Sequence, residues 1–457
     1  MDNGHEERLA ERFSGVGLRE SSEVKNDSLF QVIKAVEAAE ATIKQQVEEN
    51  NLLKSELQRR YLELAKYKSG ETTPQASHSA GSSPLHQSVD RRKGVVSAPG
   101  AGSSVVIAAE DENSPEEAMF PAMFVFGDSL VDNGNNNRLN SLARSNYLPY
   151  GIDFDGGQPT GRFSNGKTIV DFIGELLGLP DIPAFMETMD GGVDVLRGVN
   201  YASAAGGILE ETGRHLGERF SMRRQVENFD KTLMEISRGI GSSVTEYMAK
   251  SLVVVSLGNN DYINNYLKPS LFLTSSIYNP TSFADLLVSN FTSNLLELYD
   301  KGFRKFVLAG VGPLGCIPDQ LAARAVPPGE CVESVNEMAE LFNNRLKSLV
   351  DRLNTDNKTG RDAIFVYGNT YGAAVDILTN PIDYGFEVTD RGCCGVGRNG
   401  GEITCLPLAV PCAFRDRHVF WDAFHPTQAF NLIIALRAFN GSKSDCYPIN
   451  LLQMSRL

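Results

Sequence analysis

Ala122-Met123-Phe124-Val125-Phe126-Gly127-Asp128-Ser129-Leu130 is the stretch on which the reading of this chain turns. An unbroken apolar run, rich in aromatic residues, leads into a glycine, an acid and a serine. A run of this kind suits a strand buried on both faces. Gly127 and Asp128 supply the turn that ends it, and the polar run Val131-Asp132-Asn133-Gly134-Asn135-Asn136-Asn137 continues that turn. A serine just past the carboxyl end of a parallel strand stands where open α/β sheets bind their ligands.

Further runs of the same texture lie downstream, at Leu252–Leu257, Lys305–Ala309 and Ala363–Tyr367. Between them, Ser282–Tyr299 and Val335–Leu353 carry apolar residues at helical spacing. Strand–helix alternation predicts a mostly parallel sheet with helices on both faces, an α/β fold. The formal net charge of −14 and the lack of a dominant basic patch argue against nucleic acid or anionic membrane surfaces as main partners. No apolar run approaches the roughly 20 residues of a membrane-spanning helix, and the charged stretch Met1–Gly17 has no apolar core of the kind a secretory signal needs.

Cysteine usage points toward an oxidising compartment. Cys316, Cys331, Cys393, Cys394, Cys405 and Cys412 cluster, and Cys446 lies apart. None forms the Cys-x-x-Cys of a zinc ribbon, so the cluster reads as disulfides of open connectivity rather than as a metal site. Glycosylation sequons at Asn26, Asn290, Asn357 and Asn440 add slightly to that reading. The compartment itself stays open.

The N-terminal quarter has a different texture. Residues 1–27 read as a disordered tail. Asp27-Ser28 followed by Gln31 resembles a capping box with Ser28 as N-cap. A three-four alternation then runs over Leu29–Lys66, including Ile33, Val36, Ile43, Val47, Leu57 and Leu64, interrupted at Glu40, Asn50 and Lys54. It predicts a coiled-coil helix over 28–68 that could join copies of the chain through 29–66, with Asn50 setting register; a single amphipathic helix docked on the domain behind it is the alternative. From 69 to 117, Ser, Gly, Pro, Gln, Thr and Ala dominate, which predicts a flexible linker. Residues 118–457 form the α/β domain.

A serine nucleophile needs a base. His5, His78 and His86 fall in the tail and linker, leaving His215, His418 and His425. His425 lies in Phe420-Trp421-Asp422-Ala423-Phe424-His425-Pro426, where a turn lets the Asp422 carboxylate reach the imidazole and fix its tautomer. Acyl transfer also needs donors for a developing oxyanion. Two turns offer them: Gly258-Asn259-Asn260-Asp261, and Asn200-Tyr201-Ala202-Ser203-Ala204-Ala205-Gly206-Gly207.

Taken together, these blocks resemble the GDSL esterase/lipases of plants, within the SGNH hydrolase superfamily, from about residue 121 to the C-terminus. Gly161-Arg162-Phe163-Ser164-Asn165-Gly166-Lys167, the run Gly310–Cys316 and the Cys393-Cys394-Gly395 turn complete the set in the expected order. The resemblance implies a flavodoxin-like three-layer α/β/α sandwich. It implies Ser129 as nucleophile and backbone oxyanion donor, His425 as general base and Asp422 as its orienting acid. Gly206 and Asn260 would be further oxyanion donors, with Gly207 a rival to Gly206 because Ala204 and Ala205 replace glycines found in other members. It implies a small-molecule or lipid ester as substrate, hydrolysed through an acyl-enzyme, and no metal or organic cofactor. An acyltransferase on the same site, and a non-catalytic coiled-coil interaction protein, are the other readings. One departure is plain: where the family carries a secretory signal shortly before the nucleophile strand, this chain has about 117 residues of coiled coil and linker.

If the seam over 29–66 is real, the full-length chain oligomerises at micromolar concentration, each seam side chain contributing about 1.5–3 kcal/mol when buried. Cleavage in the linker then releases an active monomer. Light scattering on both forms checks this, and a monomeric full-length chain overturns it.

Overall fold

Four apolar runs lie side by side as parallel strands: β1 (Met123–Gly127), β2 (Leu252–Ser256), β3 (Lys305–Ala309) and β4 (Ile364–Gly368). The computed structural model describes residues 118–324, 326–355 and 362–457. The expected tail, coiled coil and linker lie outside these residues, as do the sequons at Asn26 and Asn357. The register is continuous, with Val125 opposite Val254, Val254 opposite Val307 and Val307 opposite Val366. Two smaller strands, β5 (Val388–Gly392) and β6 (His418–Phe420), form a separate parallel pair. A two-residue β7 (Cys446–Tyr447) closes the main sheet antiparallel to β4. Asn200 adds a single parallel bridge to Val125 on the free side of β1. Counting that segment, the order of successive chain segments is 2-1-3-4-5, the flavodoxin-like arrangement with its switch point at β1. Around that bridge the backbone of residues 197–203 hydrogen-bonds to Met123, Val125 and Gly127 of β1.

Side chains alternate across the pleat. Phe124, Phe126, Val255, Phe306 and Phe365 point to one face. They pack against α2 (Met222–Ile240), α3 (Pro280–Asp300) and α4 (Glu333–Thr355). Val125, Val254, Val307 and Val366 point to the other, toward α1 (Ile169–Leu176) and Ala435 of α6 (Gln428–Asn440). α5 (Thr370–Thr379) follows β4 directly. The sheet is thus covered on both sides, as its continuously apolar strands require. Each helix that matters to the site starts on a capping side chain. Thr168 accepts from the Asp171 N–H at the head of α1, and Thr427 accepts from the Phe430 N–H at the head of α6.

The six clustered cysteines pair as Cys316–Cys331, Cys393–Cys412 and Cys394–Cys405, and Cys446 is free and buried. Asn440 is exposed, whereas Asn290 is half-buried and its side chain donates to the Leu286 carbonyl. Among the described residues no helix is long and apolar enough to cross a membrane.

The Gly161–Lys167 block earns its place through one ion pair. Arg162 grips Asp171 with two hydrogen bonds of 2.7 and 2.8 Å, and both side chains are only 8% exposed. Burial alone would push the Asp171 carboxyl up, but the guanidinium and the Thr168 amide hold it below its ordinary value. Breaking such a pair leaves one charge buried and unmatched. Arg162→Met is therefore expected to cost about 3–5 kcal/mol, read as a lower urea midpoint with an unchanged slope.

Candidate active site

Ser129 sits on a backbone that is held, not free. Gly127 is clamped by Gln225, which accepts from its N–H and donates to its carbonyl, both at 2.8 Å. A Cβ at Gly127 would come within 2.2 Å of Val131, so the close turn admits only glycine here. Asp128 is buried; its carboxylate accepts from the Leu130 N–H and from Asn259 Nδ2, both at 3.0 Å. Burial pushes the Asp128 carboxyl above its ordinary value, against those donors.

The asparagine-rich run after Ser129 fastens two loops together. Asp132 accepts from the amides of Gly134, Asn135 and Ala204. Asn135 donates to the Asn200 and Ala202 carbonyls, and Asn136 to the Ala204 carbonyl. Asn200 returns a bond of 2.6 Å to the Val131 carbonyl. These side-chain amides add to a backbone ladder between β1 and residues 197–203, in which Met123 and Val125 donate to the Arg197 and Val199 carbonyls and Tyr201 and Ser203 donate to the Val125 and Gly127 carbonyls. Asp261, past β2, fastens the next turn as Asp132 does, accepting from the Ile208 and Leu209 amides and from the Thr212 hydroxyl. Burial pushes both Asp132 and Asp261 up to about 6.

The three candidate histidines separate cleanly. His215 packs against Phe272, and His418 Nδ1 lies 3.1 Å from the Phe414 carbonyl. His425 alone meets the serine, with Nε2 2.7 Å from Ser129 Oγ. Its Nδ1 lies 2.8 and 2.9 Å from the two oxygens of Asp422, so a proton on Nδ1 leaves Nε2 to accept from the hydroxyl. Residues 421–425 form a tight loop closed by the Trp421 N–H on the His425 carbonyl. α6 begins just after, at Gln428.

Asp422 has no exposure and takes donors from several directions: the amides of Phe424 and His425, the imidazole, and the Tyr150 hydroxyl at 2.6 Å. Burial works to raise its pKa, yet the imidazole and these donors hold it below the ordinary carboxylate value. Phe163, carried on the block that Arg162 anchors, lies against the His425 ring at 4.9 Å between centroids. Tyr150, Phe163 and Asn259 were not singled out from sequence. Tyr150 lies 272 residues from Asp422, and no local pattern links them.

The oxyanion candidates differ in what they have to give. The Ser129 N–H makes no hydrogen bond among the described residues. Asn260 Nδ2 spends one N–H on the Gly206 carbonyl at 2.9 Å, and its carbonyl is oriented by Asn264 Nδ2 at 2.7 Å. The Gly206 N–H donates to the Ser203 carbonyl at 3.0 Å, whereas that of Gly207 has no partner among the described residues. Gly258, at φ +129°, lets the chain turn from β2 into Asn259 and Asn260; an L side chain there would be strained. Cys393, Cys412 and His418 place ligand atoms within 4.8 Å of one another, but the two sulfurs are bonded together and the set is not a free metal site.

This arrangement can polarise a serine hydroxyl beside backbone and amide donors, at the switch point of an open parallel sheet. Residues 123–438 match the GDSL-like lipase/acylhydrolase family. A GDSL esterase/lipase of Arabidopsis thaliana is 87% identical over 353 residues, covering 77% of this chain and 92% of the relative. A second is 53% identical over 353 residues, 77% of this chain and 93% of the relative. GDSL esterase/lipase 7 of the same plant is 47% identical over 350 residues, 76% and 95% of the two chains. With likeness at this level running the length of the α/β domain, the chain belongs to the GDSL-like lipase/acylhydrolase family and is a carboxylic ester hydrolase.

Proposed function

We propose that the ester is cleaved through a Ser129–His425–Asp422 triad and an acyl-enzyme on Ser129. The observation that carries this reading is the unbroken chain of short contacts from Ser129 Oγ through the imidazole to a fully buried carboxylate. Ser129 Oγ attacks the ester carbonyl carbon while its proton passes to His425 Nε2. The electron pair moved onto the carbonyl oxygen is met by the Ser129 N–H and the second N–H of Asn260. Gly206 is the third donor implied by the family likeness; to serve, its N–H has to turn from Ser203. Gly207, whose amide is unspent, is its rival. Collapse of the adduct breaks the C–O bond, and the alkoxide leaves with the proton from His425. Water then repeats the sequence, giving up a proton to Nε2, attacking the acyl carbon and restoring Ser129.

Asp422 does not take the proton. Held as a carboxylate by its donors, it fixes the Nδ1–H tautomer and stabilises the imidazolium that forms while each tetrahedral adduct stands. Tyr150 acts through Asp422 and is a positioning residue.

The test is hydrolysis of p-nitrophenyl butyrate by purified variants with circular dichroism as the fold control. Ser129→Ala and His425→Ala are expected to abolish turnover. Asp422→Asn should cost about 10⁴ in kcat, as is typical of such triads, and Asn260→Ala about 10²–10³. A folded Ser129→Ala protein with wild-type turnover overturns the reading. Tyr150→Phe removes a hydrogen bond to a buried carboxylate and should cost about 1.5–3 kcal/mol of stability at neutral pH. The sign with pH follows from the depressed Asp422 value. That stabilisation is present above the unfolded carboxylate pKa of about 3.9 and is lost as pH falls through the folded value. The deficit of Tyr150→Phe should therefore shrink in acid, which urea titrations at neutral and acid pH measure.

A further inference from the structure

Protein interiors pack nearly as densely as organic crystals, with few voids larger than a water molecule. Beside Ser129 the rule is broken. A cavity holding about 140 Å³ of space open to the centre of a water molecule runs from the strand carboxyl ends down between the sheet and helices α1 and α6. One water needs only about 10–15 Å³ of such space. The polar side chains around it, Ser129, Asn259, Asn260 and His425 among them, gather at the strand-end mouth. Deeper in, the walls are Ile173, Val254, Val307, Phe430, Ile434 and Ala438. A space of that lining stays dry and takes apolar ligands.

The sequence makes this room deliberately small-sided at the top. Gly127 stands opposite Ser256, and Ala309 opposite Gly368, so a row of small residues crosses the sheet one step above the row of valines. On the facing helix, Phe430, Ile434 and Ala438 recur every fourth residue and share one face. They span about 12 Å at 1.5 Å per residue.

We infer that this cavity is the acyl-chain site of the enzyme, accepting an unbranched chain of about nine or ten carbons while the alcohol half of the ester faces solvent. The inference rests on the Ser129 acyl-enzyme proposed above and names its substrate class. The length follows from bonds of about 1.5 Å, which in a zigzag advance the chain about 1.25 Å per carbon. The orientation follows from the order of events. The alcohol must leave before water attacks; an alcohol held among the deeper apolar side chains would have to pass the acyl group to reach the strand-end mouth, whereas one at the mouth departs freely. A sugar or glycerol group in the deep part would also lose its water with no donor or acceptor to replace it.

The test uses wild-type enzyme with p-nitrophenyl esters from two to sixteen carbons, below their aggregation limits, together with labelling by ethyl and decyl fluorophosphonates. The specificity constant kcat/KM is expected to rise at least about tenfold from acetate to decanoate and to fall by palmitate, and the decyl probe to label Ser129 at least about tenfold faster. Ala438→Phe, which fills the deep end, should move the optimum to shorter chains, and Ile434→Ala to longer ones. Should either variant fail to fold, the wild-type profile and the two labelling rates still decide. A flat profile with equal labelling, in an enzyme that Ser129→Ala inactivates, overturns the acyl site and leaves the triad standing. Activity that survives Ser129→Ala overturns both.

Discussion

A carboxylate with no exposure has to be met by donors, and the way Asp422 is met organises much of this domain. Two of its donors are the amides of the loop it sits on, so the loop from Trp421 to His425 is wound around its own acid. A third, the imidazole, is thereby aimed at Ser129. The fourth comes from Tyr150, on a segment far away in the chain. That tyrosine also lies 3.3 Å from the hydroxyl of Thr404, in the loop strapped by Cys394–Cys405. The long loop before β6 thus joins the packing around the acid. In the absence of these donors, burial would favour the neutral acid, and the imidazole would lose the charge that fixes its tautomer.

The second constraint is the edge segment beside β1. At the free edge of β1, residues 197–203 make four backbone hydrogen bonds to Met123, Val125 and Gly127. Asparagine side chains from the loop after Ser129 add further donors, to the carbonyls of Asn200, Ala202 and Ala204. This makes the loop stiff and ties it to the block bearing Gly206 and Gly207. Under the proposed mechanism such stiffness favours Gly207, whose N–H is unspent, over Gly206, whose N–H has to leave Ser203, because oriented donors need no reorganisation when charge develops.

Most of the architecture was legible because strands buried on both faces announce themselves as unbroken apolar runs. The observed ends of β1 and β4 differ from the expected ones by a single residue, since Gly127 and Gly368 continue the pairing despite their turn chemistry. Ser129, His425 and Asp422 were readable because two short blocks carry them and elimination left few histidines. Tyr150 and Phe163 were not, because each acts across a long loop and looks like an ordinary aromatic residue locally. The disulfide partners were closed to sequence reasoning for the same reason: spacing does not say which loops will lie together. Nor did composition foretell the cavity, which arises from small residues on different strands brought into one row.

The adjacent cysteines 393 and 394 carry a consequence for biogenesis. Exchanging their partners, Cys412 and Cys405, would close loops almost identical in length to the native ones. Loop-closure entropy depends only on the logarithm of that length, so it barely distinguishes the correct bridges from the crossed ones. What distinguishes them is packing: Tyr147 binds the Cys405 carbonyl, and the Cys393 and Cys394 amides bind the Phe420 and Trp421 carbonyls. Those contacts exist only once the neighbourhood of Asp422 has assembled. The choice between native and crossed bridges therefore falls to the packing around Asp422 and not to the connectivity of the chain.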